Sequence, residues 1–200
     1  MGTLRLFAIC LVLGLSLGLL VGLGRLSKSR LINWPLIAYI EAFRCTPLLV
    51  QIVWFYYALP VVLGVQIPAT LAATMTLSLY TGAFYAEIFR GGIVSIEQGQ
   101  WDAARALGLR PWAMMRMVIL PQAVRNVLPD LLSNTLEVVK LTSLGSVVAV
   151  PELLYQARQA QSLTFNPTPI VMAAVVYFLI LWPMVRVLSR LENRALAARR

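Results

Sequence analysis

Glu137 and Lys140 stand three residues apart in a stretch otherwise apolar enough to lie in lipid, a spacing that puts both on one helical face. An acid near mid-bilayer costs roughly 2.5 to 3.5 kcal/mol on the insertion scale, so its presence calls for a use. Two uses are open. Facing an aqueous path, Glu137 favours the ammonium or guanidinium of a passing solute; facing Lys140 alone, it is half of an internal ion pair. Glu87 and Arg90 repeat the spacing at the end of another apolar stretch and read as a structural or gate-region pair. Gln51, Tyr56, Tyr57, Tyr80 and Tyr85 place amide and hydroxyl groups in apolar surroundings. Each needs a partner, supplied by a neighbouring helix or by water in a path.

The composition leaves no evident constellation for covalent catalysis. The chain has no His, which removes His-based catalysis and His metal sites, and its eight acids are scattered. Cys10 and Cys45 form neither a disulfide framework nor a metal-ligand spacing. No Gly-x4-Gly-Lys-Ser/Thr phosphate loop occurs, so this chain is expected to bind no cofactor, and any ATP and Mg²⁺ are handled by another chain. A net charge of +9 raises nucleic acid as a partner, but the cations flank apolar blocks instead of forming one basic surface interleaved with aromatics. Nucleic acid is set aside.

With 60% hydrophobic and only 12% charged residues, the chain belongs in membrane lipid, since soluble domains average roughly 25% charged. The elements that position the polar groups are five expected transmembrane helices at about 4–24, 47–63, 69–90, 126–150 and 168–188, forming one all-α membrane domain over 1–200. The first carries one charge, Arg5; a cleaved signal peptide is disfavoured because no cleavage site and soluble domain follow. Its Gly14, Gly18 and Gly22 recur every four residues, a stripe that lets a second helix pack closely. Residues 34–44 are expected along the interface. No charge occurs across the 42 residues from Cys45 to Ala86, enough for two helices turned at Gly64, Gln66 and Pro68. Residues 151–169 read as a polar loop with its own short helix, and Arg186 to Arg200 as a basic tail. The cations of 25–30, 44, 90, 105–125 and the tail then share one side, against Arg5 and Arg158 on the other. The positive-inside rule makes that side cytoplasmic, with the N-terminus outside and the C-terminus inside.

Between the third and fourth spans lies a semi-polar island, Glu97 to Pro121, on the cytoplasmic side. Helix formers from Gln100 to Leu107 stop at Gly108, and Pro111 suits the first turn of a second short helix that Pro121 is expected to close. Ala103 and Ala104 are expected to leave a shallow surface for another protein. Trp112, Met115 and Ile119 are expected to form one apolar face packed on the membrane domain. Pro121 and Pro129 are expected to shape the entry of the fourth span.

Asp102-Ala103-Ala104, Gly108 and Val118-Ile119-Leu120-Pro121 resemble the signature loop of ABC importer permeases, Glu-Ala-Ala-x3-Gly-x9-Ile-x-Leu-Pro, with Asp for Glu and Val for Ile. Arg44-Cys45-Thr46-Pro47-Leu48-Leu49-Val50-Gln51, Tyr85 to Ile93, and Lys140-Leu141-Thr142-Ser143-Leu144 resemble stretches of the polar amino-acid permeases of histidine, glutamine and arginine type; Cys45 replaces Gly and Leu141 replaces Asp. The resemblance implies the fold of an ABC type I importer permease in a bacterial inner membrane. It further implies coupling to a cytoplasmic ATPase through Glu97, Gly99, Asp102, Ala103, Ala104 and Gly108, a second permease, identical or sister, and an extracytoplasmic amino-acid-binding protein. Gln51, Tyr80, Tyr85, Glu137, Lys140 and Thr142 become candidates for the substrate pathway. A secondary transporter or channel working without an ATPase, with Glu137 and Lys140 as ion relay, is the alternative; no inverted repeat supports it.

Overall fold

Glycine spacing sets the central helix pair. In the computed structural model, which describes residues 2–197, α1 (Gly2–Gly24) lies along the later helix α5 (Ala69–Val94). A Cβ on Gly14 would collide with the Thr81 hydroxyl, one on Gly18 with the Tyr85 Cβ, and one on Gly22 would sit 2.7 Å from the Ala86 carbonyl oxygen. Gly18→Ile is therefore expected to push α1 off α5 and cost about 1–3 kcal/mol, as overpacking does. A lowered melting temperature of the purified chain checks this; an unchanged one would mean that the glycine stripe is not a packing seam.

The chain then turns through α2 (Arg30–Cys45), largely exposed with only Ile40 buried, and bends by 105° into α3 (Leu48–Val53). Pro47 enforces the corner, because the residue before a proline avoids the helical region; Thr46 is extended at φ −105°, ψ 134°. A π-helical turn, Trp54–Ala58, joins α3 to α4 (Leu59–Leu63), and Gly64 ends α4 at φ +66°.

α5 is 26 residues long, about 39 Å, and is sheathed by α1, α2, α3 and α8. Its Thr76 and Thr81 hydroxyls donate to the carbonyls of Ala72 and Leu77 one turn back, so a buried helix rich in Thr, Ser and Tyr leaves few orphan groups. After it come α6 (Gln98–Ala106), α7 (Pro111–Met114), a second π turn (Met115–Ile119) and α8 (Leu120–Leu141), which tightens into a 3-10 stretch, Thr142–Val148. α9 (Leu153–Thr164) and α10 (Thr168–Ala197) complete the fold. Among the described residues there is no strand.

Pro121 does not close the second island helix. The chain runs helically from Pro111 to Val148, with Pro121 and Pro129 inside it. Both π turns immediately precede a Leu-Pro pair, and in each the leucine N–H reaches five residues back, Leu59 to Trp54 and Leu120 to Met115. A proline ring clashes with the carbonyl four residues earlier, and the wider turn moves that carbonyl aside. The fourth expected span, 126–150, is thus the later part of a longer helix, and the third runs on to Val94. Two described helices, α1 and α10 over Thr168–Val187, are long and apolar enough to cross a membrane, or up to four if each bent pair counts as one span. Of the basic tail, residues 198–200 lie outside the described residues.

Candidate docking face and polar path

The island folds as a small hairpin with its own apolar core. Ile96, Ile119 and Ala123 are buried there, with Trp101, Met114 and Met115 against them. Gly108 holds the turn at φ +68°, and Leu109 N–H closes on the Ala104 carbonyl at 3.2 Å. Such a left-handed closing residue is what glycine supplies at no steric cost.

The outward face differs from the expected pair of alanines. Ala104 is only 2% exposed, because neighbouring residues on a helix point about 100° apart and Ala104 faces into the hairpin. Gly99, Asp102, Ala103 and Ala106 are exposed at i, i+3, i+4 and i+7, so the shallow strip is built from these four. Asp102 is steadied by Arg105 at 2.9 Å and Gln98 at 3.2 Å. Glu97 is the residue before α6 and makes no side-chain cap. Trp112 is 73% exposed and does not pack on the membrane domain: the π turn shifts the register, so Ile119 and Met115 face inward while Trp112, like Leu107, stands out.

Further along the chain from this hairpin, α8 carries a second polar surface. Asp130, Ser133, Glu137 and Lys140 are all exposed on one side of the helix, and Glu137 accepts from Lys140 Nζ at 2.9 Å with both side chains about half exposed. The ion pair exists and remains reachable from outside the chain. Towards the island end a cleft of about 550 Å³ opens between α2, α5 and α8, bordered by Arg44, Glu87, Asn126 and Asp130. Arg44 lies over the Phe84 ring at 5.2 Å, a cation–π contact. Glu87 binds Arg90 at 2.8 Å and Arg25 at 3.7 Å, so the expected pair is a three-residue cluster.

The other expected pathway residues are spread out. Tyr85 is fully buried with its hydroxyl 3.0 Å from that of Thr135, tying α5 to α8. Thr142 is fully buried and donates to the Val139 carbonyl at 2.7 Å. Tyr80 stacks on Phe84 at 4.8 Å. Gln51 clamps the 105° corner, its amide donating to the carbonyls of Phe43 at 2.9 Å and Thr46 at 3.0 Å. Tyr56 and Tyr57 pair edge to face. Sequence reasoning missed Arg44 and Asp130 as cleft residues; phasing α8 from Pro121 would have set Asp130 seven residues before Glu137 on the same face. It also missed Glu152, 1% exposed, whose carboxylate accepts from Leu154 N–H at 2.9 Å, Tyr155 N–H at 2.7 Å and the Tyr177 hydroxyl at 2.8 Å.

A helical bundle with one compact hairpin at its end and one long polar helix face is the architecture of a membrane transport subunit, and comparison with known proteins places it in a family of such subunits. The chain belongs to the family described as binding-protein-dependent transport system inner membrane component, whose model matches residues 14–196. It is 38% identical over 179 residues to the probable amino-acid ABC transporter permease protein YckA of Bacillus subtilis, covering 89% of this chain and 79% of that one. With the glutamine transport system permease protein GlnP of Escherichia coli it shares 37% over 194 residues, covering 96% and 89%. A crystal structure of an amino acid ABC transporter with histidines superposes with a TM-score of 0.90 at 35% identity, over 96% of this chain and 90% of that one. The fold is that of ABC type I importer permeases.

Proposed function

We propose that this chain is the membrane subunit of an importer for a polar amino acid, driven by ATP hydrolysed with Mg²⁺ on a separate cytoplasmic ATPase. The observation that carries the reading is the exposed Asp130–Lys140 side of α8. Lipid would penalise it, so a second permease and a water-filled path are the surroundings it suits. Arg44 and the acids of the cleft offer opposite charges to the carboxylate and ammonium of one zwitterion. The strip of Gly99, Asp102, Ala103 and Ala106 suits a groove on the ATPase, with Leu107 and Trp112 as apolar anchors beside it. An extracytoplasmic binding protein delivers the amino acid. Five spans are counted with α5 as the third: sheathed by its neighbours, it need not be apolar all round. The cation distribution supports an N-terminus outside and a C-terminus in the cytoplasm of a bacterial cell.

The first test is to extract the tagged chain gently, identify by mass spectrometry what accompanies it, and assay uptake in proteoliposomes. Recovery of a phosphate-loop ATPase and ATP-dependent amino-acid uptake are expected. Glu137→Gln is expected to lower uptake of cationic more than of neutral amino acids while the complex still assembles. Uptake driven by an ion gradient with no ATPase recovered would overturn the reading.

A further inference from the structure

A second groove, of about 380 Å³, lies between α1, α5 and α8 and is lined by apolar side chains throughout, among them Leu19, Leu23, Phe89, Leu120, Val124 and Leu131. Along α8 it runs from Leu120 to Leu131, eleven rises of 1.5 Å or about 16 Å. That matches half of a hydrocarbon core of about 30 Å, the depth of one leaflet. The mouth is basic. Arg116 stands four residues before Leu120, within the π turn that leads into the groove wall, and Lys28 follows Leu23 in the turn that leaves α1; both are exposed, and neither has a hydrogen-bond or acidic partner among the described residues.

We propose that this groove is a binding site for an acidic phospholipid, one acyl chain lying between α1 and α8 and the phosphate held by Arg116 and Lys28. Charge and depth both favour this occupant over a second copy of the chain. The wall is built of branched and aromatic side chains, whereas close helix–helix seams in lipid use small ones, as α1 does against α5. The polar side of α8, which needs a protein or water neighbour, points away from the groove.

The test uses the intact complex, stripped of lipid in detergent and supplied with phosphatidylglycerol or phosphatidylcholine of the same chains, with retention read by native mass spectrometry. Phosphatidylglycerol is expected to stay bound, one per copy of this chain, and to outcompete phosphatidylcholine. Arg116→Gln, an exposed change that leaves the bundle intact, is expected to weaken that preference about fivefold, the share of one cation beside an anionic leaflet. Val124→Trp, which fills the groove, is expected to abolish retention of both lipids. Equal retention of the two lipids, or a preference untouched by Arg116→Gln, would overturn the proposal. So would efficient disulfide capture between two copies by Val124→Cys in a Cys45→Ser background, which would assign the groove to a second permease.

Discussion

A Gly108→Val chain is expected to insert and keep its bundle, yet to lose the ATPase on purification and to lose transport. A Cβ at position 108 meets nothing within 4 Å, so the penalty is conformational: φ +68° is a region that a β-branched residue enters at a cost of roughly 1–3 kcal/mol. The turn relieves that strain by opening, which breaks the Leu109–Ala104 bond and rotates the α6 strip relative to α7. A loss of 1.4 kcal/mol in docking is already about tenfold in affinity, within reach of a pull-down. Gly99→Leu separates geometry from surface, because a Cβ there also meets nothing in the chain and α6 tolerates leucine. It should leave the melting temperature unchanged and still cut ATPase recovery by blocking the shallow strip. Normal recovery in both variants would mean that the strip is not the docking face.

The largest stability effect is expected at Glu152. Its carboxylate satisfies two backbone N–H groups at the start of α9 and the Tyr177 hydroxyl of α10, while Leu153 N–H donates to Thr3 Oγ1 of α1 at 3.0 Å. The Glu152 side chain thus joins α9 to α10, and the backbone next to it reaches α1. Glu152→Ala orphans these donors together in a buried place, at a cost on the order of 3 kcal/mol. Glu152→Gln keeps one acceptor oxygen but offers an N–H₂ where an acceptor is needed, so it should recover only part of the loss. A thermal unfolding series in detergent checks the ranking wild type, Gln, Ala; equal midpoints would remove Glu152 from the structural core.

The pattern of these effects follows what local chemistry reveals. Gly108 and Pro111 announce their turn because a left-handed cap and a helix-starting proline are local requirements. The Gly14–Gly18–Gly22 stripe announces a seam for the same reason. Leu-Pro at 120–121 misled, since a proline after a helix-forming run looks like a stop, and only the backbone shows the wider turn that accommodates it. Trp112 misled through the same register shift. Glu152 was hidden because Glu is not a habitual cap and its hydroxyl partner lies 25 residues away on α10. The Arg44–Asp130 cleft was hidden because it joins two elements across 86 positions of sequence, where spacing carries no signal.

The uninterrupted run from Pro111 to Val148 has a mechanical meaning. Trp112 and Glu137 sit at two stations of one rod, 25 residues or about 38 Å apart if every turn were α-helical. A break at Pro121 would have made the island a tethered bead, free to swing without moving anything in the bilayer. With the rod intact, a push at its island end arrives at the ion pair as a tilt. The π turn near the push is the joint at which some of that stroke is absorbed or passed on.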